Sequence, residues 1–366
     1  MNKTYMKQSI ELAKRGGPDV FPNPQVGAII VKDNQIIAEG YHQVYGGPHA
    51  EINAFENATQ DVTGAEMYVT LEPCSHYGKT PPCALKIIEK GVKKVYIASL
   101  DPNPLVAGKG IEMLKKAGIE VELGLLNQES DGINKHFYYF IKHKIPYVTL
   151  KMATSLDGKY ATDSGASKWI TSEASRQDVH VERSKYHAIL VGINTVMSDD
   201  PTLNVRLDDY NHKQPLRIIL DTHGNIPLTK KVVIDDLQTL VVTCHMSDEK
   251  KNQLEKHHVD VLFCQPKEGK IDLKDMLVKL GKKGIQSIFI EGGKTIHESF
   301  LRDQLVNEVI TYIAPKIIGG TKSIQQLDIL DMKDIYTLNH VTHQLIGEDI
   351  KIKGELTSCL QELLKI

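Results

Sequence analysis

An α/β chain in two domains is the fold the sequence predicts, and three observations lead to it. With 366 residues the chain is longer than one hydrophobic core usually organises. Short β-rich runs alternate with helical patterns in the first third and again after Pro146, the signature of strands linked by helices. No internal repeat relates the two stretches, so they read as two different folds rather than a duplication.

Met6, Ile10 and Ala13 stand at helical spacing and stop at Gly16-Gly17, which predicts a first helix with a glycine end. The apolar run 26–31, the turn pair Asp33-Asn34 and the run 35–38 predict a β-hairpin. Pro48 precedes a predicted helix over 49–58, and a strand follows over 67–71. Pro81-Pro82 open another helix that ends at Gly91, ahead of a strand over 94–100. The order β-β-α-β-α-β predicts a three-layer α/β/α domain, which a helix over 110–117 and a strand over 120–123 carry to about Asn134. A linker is expected over 141–146. The pattern then restarts with a strand over 147–152, and further strands are expected over 187–191, 216–220, 240–244, 259–263 and 287–290. The domains are expected at 1–144 and 145–366.

Apolar residues at 41% and charged residues at 25% are close to globular averages, so both domains should be folded. A formal net charge of −2 argues against a surface built to neutralise many phosphates, which favours a small-molecule substrate over nucleic acid. The first residues mix charged and polar side chains with apolar ones and match neither a signal peptide nor a membrane span. A cytoplasmic protein without membrane association is expected. Cys74, Cys83, Cys244, Cys264 and Cys359 are few, odd in number and scattered, unlike a disulfide framework.

The strongest chemical signal is His49-Ala50-Glu51, followed by Pro73-Cys74 and, after eight further residues, Cys83. One imidazole and two thiolates suit a tetrahedral zinc ion with its fourth position open to water, as hydrolysis requires. Cys83 falls in the first turn of the helix after Pro81-Pro82, where the helix start favours the thiolate. Glu51, two residues past the histidine, can approach the water without ligating the metal, a position suited to proton transfer. The alternative is a closed structural site with His76 as fourth ligand, which leaves Glu51 without a role.

These residues, with Pro22-Asn23-Pro24, Gly40-Tyr41-His42, Thr70-Leu71-Glu72 and Asp101-Pro102-Asn103-Pro104, resemble the cytidine-deaminase-like superfamily. Within it they resemble the pyrimidine deaminase domain of bifunctional riboflavin-biosynthesis enzymes. The long Cys74-to-Cys83 spacing departs from the commoner two-residue spacing and is characteristic of that branch. The resemblance implies a substrate pocket lined by Asn23, His42, His76, Lys79, Thr80 and Asn103. Beside their prolines, Asn23 and Asn103 suit turns equally well, and Lys79 suits a solvated loop.

The second half carries no G-x-G-x-x-G fingerprint. It has instead a β-rich run from Ile288 that passes through Gly292-Gly293 into a predicted helix over 296–302. Such a junction can hold a pyrophosphate on helix N-terminal amides, although Gly-Gly also marks a plain turn. Together with Leu150-Lys151-Met152-Ala153, Ser167-Lys168-Trp169 and the stretch from Ser198 to Arg206, it resembles the riboflavin-pathway reductase, whose α/β fold is dihydrofolate-reductase-like. The resemblance implies NADPH as hydride donor. It places Ala153, Trp169, Thr195, Asp199, Thr222, Gly293, Lys294, Thr295, Ile296, His297, Glu298 and Ser299 against that cofactor. It places Lys151, Ser167, Arg183, Leu203, Arg206 and Glu291 against the substrate. Arg183 and Arg206 offer the bidentate donors a phosphate monoester takes, though each also suits an unliganded surface. Lys151 and Glu291, read as the ends of two apolar strands, could steer proton delivery. Trp169, the only tryptophan, is either a core aromatic or a stacking wall.

The resemblance therefore implies zinc-dependent hydrolytic deamination of a phosphoribosylamino-diaminopyrimidinone, then NADPH reduction of the ribosyl chain of the deaminated product to ribityl. The partner is a phosphorylated pyrimidine, and the enzyme is expected to be a homo-oligomer, dimer or tetramer. Two rivals remain at this stage. A tRNA or free-base deaminase with an unrelated second domain should show basic clustering. A zinc-stabilised module that binds a nucleotide without turnover should unfold when the metal is removed.

Overall fold

The computed structural model describes residues 2–77, 81–103, 106–325, 327 and 329–356. The chain divides into two compact units, Met1–His143 and Lys144–Ile366.

The first unit runs α1 (Lys3–Lys14), β1 (Gly27–Lys32), β2 (Gln35–Tyr41), α2 (Ala50–Glu56), β3 (Glu66–Leu71), α3 (Cys83–Glu89), β4 (Lys94–Ser99), α4 (Lys109–Lys116), β5 (Glu120–Leu123), α5 (Asn127–Ile133) and α6 (Lys135–His143). Its sheet has the order β2-β1-β3-β4-β5. The hairpin β1–β2 is antiparallel, and Asp33 and Asn34 turn it with φ of 52° and 61°, the left-handed geometry that short polar side chains tolerate best. Residues alternate between the two sheet faces with period two. Ala28, Ile30, Met67, Val69, Val95 and Ile97 meet the helices α2, α3 and α4 through Ala50, Ala54, Ala84, Ile87 and Leu114. Ile29, Val31, Tyr68 and Tyr96 point the other way, to Met6 and Ile10 of α1. Three layers follow from that alternation. Gly27 has no alternative at its position, since a Cβ there would lie 2.0 Å from the Ser9 carbonyl oxygen on α1.

The second unit runs β6 (Tyr147–Ser155), α7 (Glu173–Arg183), β7 (Ala188–Gly192), α8 (Ile193–Asp199), β8 (Leu216–Leu220), α9 (Lys231–Ile234), β9 (Thr239–Thr243), α10 (Asp248–Lys256), β10 (Val259–Phe263), the small hairpin β11 (Pro266–Lys267) and β12 (Lys270–Ile271), α11 (Leu273–Lys282), β13 (Ser287–Ile290), α12 (Lys294–Arg302), β14 (Glu308–Ala314), β15 (Leu338–Ile346) and β16 (Asp349–Leu356). Its large sheet has the order β10-β9-β8-β7-β13-β6-β14-β16-β15. The strands from β10 to β14 are parallel, and β16 and β15 close the other edge antiparallel. Leu190, Ile218, Leu240, Val242, Ile288 and Ile290 fill one face. Ile189, Val191, Ile219 and Val241 fill the other.

The structure corrects the sequence reading at several elements. Helices α5 and α6 occupy residues read as the end of the domain and its linker. In α6 the apolar residues 137–141 are consecutive, so no helical period shows. Helix α2 begins at Ala50 with His49 as its N-cap and ends at Glu56. Strand β6 continues to Ser155 because β14, which the sequence reading missed, pairs with it up to that residue. Lys151 is therefore in mid-strand. Strands β15 and β16 were missed as well, and β15 is largely exposed, with too few buried positions to alternate visibly.

One charged residue of β8 is wholly interior. The guanidinium of Arg217 donates to both carboxylate oxygens of Asp235, to Thr239 Oγ1 at 3.0 Å, and to the carbonyls of Thr202, Val232 and Leu237. A buried cation persists only where all its donors are matched in this way. Arg217→Ala should lower the unfolding free energy of the second unit by about 3–5 kcal/mol, measured as a lower urea midpoint; an unchanged midpoint would contradict the role given to this cluster.

Candidate active sites

The first centre forms at one end of the sheet of the first unit, where three chain segments meet. His49 caps α2 from an extended conformation, Cys74 follows the end of β3, and Cys83 opens α3. The ligand atoms of the three lie within 4.8 Å of one another. His49 Nδ1 is 3.6 Å from Cys74 Sγ and 3.3 Å from Cys83 Sγ. The Cys83 N–H donates to Cys74 Sγ at 3.2 Å, and the Ala84 N–H donates to the Cys74 carbonyl, so the start of α3 holds the second segment in place.

The protonation pattern favours a cation here. Hydrogen bonding from Cys83, then from His49, brings the Cys74 thiol down to about 4. The hydrogen bond to Cys74 pushes His49 up to about 9. The same Cys74 contact, with burial, pushes the Cys83 thiol up. One thiolate thus draws protons onto its two neighbours. A divalent cation replaces such protons, and one nitrogen and two sulfurs form the donor set of a zinc site with three protein ligands. Glu51, buried in the first turn of α2, faces all three residues. Burial pushes its carboxyl up to about 7, against the pull of His49.

His42 and Asn23 adjoin the cluster. The His42 ring meets His49 edge-on at 5.5 Å between centroids. Its Nδ1–H donates to the Pro48 carbonyl at 2.9 Å, so Nε2 accepts from the Asn23 amide at 3.1 Å. Burial keeps this imidazole below its usual range and hence neutral. His76 is exposed and is not a member of the three-residue cluster. Asn103 lies in a turn where its N–H donates to Asp101 Oδ1 at 2.8 Å. Lys79 and Thr80 lie outside the described residues.

In the second unit a cavity of about 380 Å³ opens beyond the C-terminal ends of β7, β8 and β13. Parallel α/β sheets bind ligands at this end. Seven residues expected to meet a dinucleotide line it: Thr195, Thr222, Gly293, Lys294, Thr295, Ile296 and Ser299. Gly293 is the N-cap of α12 and has no side chain to fill the approach. His297 and Glu298 do not line the cavity. Both are buried on the opposite side of α12, where Glu298 accepts the Gln325 N–H at 2.7 Å, because successive helix residues turn by about 100°. Asp199 ends α8 exposed and outside the cavity. Ala153 packs against the buried rings around Tyr312. Trp169 is 66% exposed, with the Arg176 guanidinium 4.3 Å from its ring centroid, so it is no core aromatic.

Arg183 also departs from expectation. Its Nε and Nη2 meet the two carboxylate oxygens of Glu291, and Nη1 donates to the Asn204 carbonyl at 2.7 Å. The two-pronged edge expected to face a phosphate is already occupied by a carboxylate. Burial lowers the Lys151 ammonium, partly offset by Glu291. Arg206 is exposed, Nη1 donating to Asn204 Oδ1 at 2.9 Å, and its backbone N–H donates to His180 Nδ1. The Leu203 side chain is in the core, so only its backbone can face a ligand. Ser167 is exposed. Sequence reasoning missed Asn194, Lys267, Lys270 and Arg302 of the cavity wall. The turn Glu268-Gly269 between two lysines, with φ of 52° and 73°, was the available hairpin signal.

A three-ligand metal centre with a buried carboxylate, and a parallel sheet with a cavity beyond the C-terminal ends of its strands, define a bifunctional enzyme that pairs a hydrolytic deaminase with a reductase. Residues 1–99 match the family described as the cytidine and deoxycytidylate deaminase zinc-binding region, and residues 146–352 match the RibD C-terminal domain. The riboflavin biosynthesis protein RibD of Actinobacillus pleuropneumoniae is 46% identical over 94% of this chain and 93% of its own. A solved structure of Acinetobacter baumannii RibD superposes with a TM-score of 0.89 at 41% identity, covering 97% of this chain and 99% of that one. A Thermotoga maritima structure, described as a diaminohydroxyphosphoribosylaminopyrimidine deaminase/5-amino-6-(5-phosphoribosylamino)uracil reductase, superposes with a TM-score of 0.87 at 36% identity, covering 97% of this chain and 98% of that one. The chain belongs to the RibD family of riboflavin-biosynthesis proteins, with a cytidine-deaminase-like domain followed by a reductase domain. Zinc is the metal of the first and NADPH the reductant of the second. Among the described residues no helix is long and apolar enough to cross a membrane.

Two outcomes are expected. The purified chain should carry about one zinc ion per chain by atomic absorption, and Cys83→Ser should retain less than about a tenth of it, because two ligands hold zinc poorly. Thr295→Glu, at the exposed first turn of α12, should leave the helix intact yet weaken NADPH binding about tenfold by nicotinamide fluorescence, through repulsion of the pyrophosphate. Unchanged affinity would place the dinucleotide elsewhere.

Proposed function

We propose that residues 1–144 deaminate 2,5-diamino-6-(5-phosphoribosylamino)pyrimidin-4(3H)-one and that residues 145–366 reduce the ribosyl chain of the resulting aminouracil to ribityl. The carrying observation is the convergence of His49, Cys74 and Cys83 with the buried carboxyl of Glu51. The Thermotoga protein named above is described by these two activities, which supports the same substrates here.

Zinc, when bound, supplies a Lewis acid that makes a water acidic near neutral pH. Glu51 takes one proton from the attacking water and gives it to the ring nitrogen, then takes the second from the hydroxyl now on carbon and gives it to the amine, which leaves as ammonia as the carbonyl forms. Burial raises the Glu51 carboxyl, the direction a proton-shuttling group needs. Asn23 and neutral His42 form a fixed wall beside the cluster, locked to each other and to Pro48, and orient the pyrimidine. In this reading His76, Lys79, Thr80 and Asn103 grip the substrate ring or its phosphoribosyl tail.

NADPH, when bound, would supply a hydride to C1′ of the ribosylamino group in its ring-opened imine form, the C=N π bond giving way as the imine nitrogen takes a proton. The start of α12 at Gly293 offers its backbone N–H groups to the pyrophosphate, flanked by Thr195 and Thr222. Lys151 and the Arg183–Glu291 pair adjoin one another in the interior beside His180. In this role Glu291 holds the substrate hydroxyls, Lys151 manages the proton that accompanies hydride, and Arg206, still exposed, takes the phosphate. Arg183 then acts by fixing Glu291 rather than by binding phosphate. The enzyme works in the cytoplasm as a homo-oligomer.

Purified chain given the diaminopyrimidine phosphate should release ammonia with or without NADPH, and consume NADPH only after deamination. Glu51→Gln should keep its zinc, lose about 10²–10⁴-fold in ammonia release and still reduce supplied deaminated product. NADPH consumption from the undeaminated substrate by this variant would contradict the proposed order.

A further inference from the structure

Glu72 is a buried carboxylate two residues ahead of Cys74, and among the described residues no lysine or arginine pairs with it. Its charge meets backbone N–H groups instead. Oε2 accepts from Gly108 at 2.9 Å and from Asp101 at 3.4 Å, and Oε1 accepts from Gly110 at 2.9 Å and from Ile111 at 3.3 Å. Three of these donors belong to the start of α4 and the fourth to the loop ahead of it. Gly108, the N-cap of α4, has no side chain and adopts φ of 80°, so the helix has no cap of its own. The cap comes from 36 residues away.

A local serine or aspartate would cap α4 without burying a charge on a distant strand. What the distant carboxylate adds is position. The Glu72 N–H donates to the Ser99 carbonyl at 2.9 Å, so its own backbone is pinned between β3 and β4. A Cβ at Gly110 would lie 2.1 Å from the Pro73 carbonyl oxygen, so α4 sits directly on the segment leading to Cys74. From Asp101 the constraint passes on: its Oδ1 accepts the Asn103 N–H at 2.8 Å, and the Asn103 carbonyl accepts from Val106 and Ala107.

We propose that Glu72 is a positioning residue of the deaminase centre: its carboxylate docks the start of α4 and the 101–103 loop onto the strand end that carries Cys74, setting the pocket wall that Asn103 presents to substrate. Metal binding stays with His49, Cys74 and Cys83. The inference rests on the deaminase reading above and names a residue that reading does not use.

The test is Glu72→Gln in the full chain, with Glu72→Asp beside it. The glutamine oxygen keeps two of the four donors, while its NH₂ faces the other two and repels them. Zinc content should match wild type, which reports an intact first unit, and so should the reduction of supplied deaminated product, which reports an intact second. KM for the diaminopyrimidine phosphate should rise about tenfold, with kcat changed far less. Glu72→Asp, which keeps the charge, should recover part of that loss, and reports the same effect if the glutamine variant is insoluble. Adding Asn103→Ala to Glu72→Gln should raise KM by less than the product of the two separate effects, because both act through one loop. A wild-type KM in Glu72→Gln, effects that multiply fully, or zinc loss in step with activity would overturn the positioning role. Wild-type turnover in the same assay keeps that failure separate, whereas a wild-type chain that releases no ammonia would overturn the deaminase reading and this inference with it.

Discussion

Three donor side chains from three separate segments must reach one point, and the first domain is arranged around that requirement. Cys74 follows the end of β3, His49 is the N-cap of α2, and α3 begins at Cys83. His49 and Cys83 therefore stand where helices start, and Cys74 is held to the start of α3 by hydrogen bonds to its sulfur and carbonyl. The Cys83 N–H to Cys74 sulfur bond ties two of the three together. Glu51 is fixed in the first turn of the helix that His49 caps, so the proton-transferring group and a ligand cannot move independently.

The reductase domain answers a different constraint. Its parallel strands end together at a cavity, and the start of α12 gives that cavity an electropositive rim without a charged side chain at the cap. Deeper in the sheet the problem is buried charge. Arg183 with Glu291, Arg217 with Asp235, and Lys351 with Asp178 and Glu182 are each paired and hydrogen-bonded. Removing one member would leave its partner uncompensated, which makes these clusters sensitive to substitution whether or not they touch substrate.

Much of the site was legible in the sequence where chemistry is local. The spacing of His49, Glu51, Cys74 and Cys83 carries its own donor set, and the Gly292-Gly293 junction marks a helix start. Side-chain direction was not legible. The run from Gly293 to Ser299 reads as one binding loop, yet five of its seven residues line the cavity while His297 and Glu298 turn inward with the helix. Arg183 looks like a phosphate ligand until the fold brings Glu291, 108 residues away, onto its guanidinium. Leu203 shows the same limit, its side chain being claimed by the core. Strands β14 to β16 escaped because pairing, not composition, completes that part of the sheet. Glu72 stood inside a quoted motif, but its significance lies in partners some thirty to forty residues on.

Hydrolysis in the first domain depends on the coordination of one metal ion. Zinc K-edge absorption of the purified full chain should fit two sulfurs at about 2.3 Å, one nitrogen at about 2.0 Å and one light oxygen scatterer that exchanges with solvent ligands. A fit requiring a second histidine or a third sulfur, with no exchangeable position, would mean a closed structural site and would contradict hydrolysis at this centre.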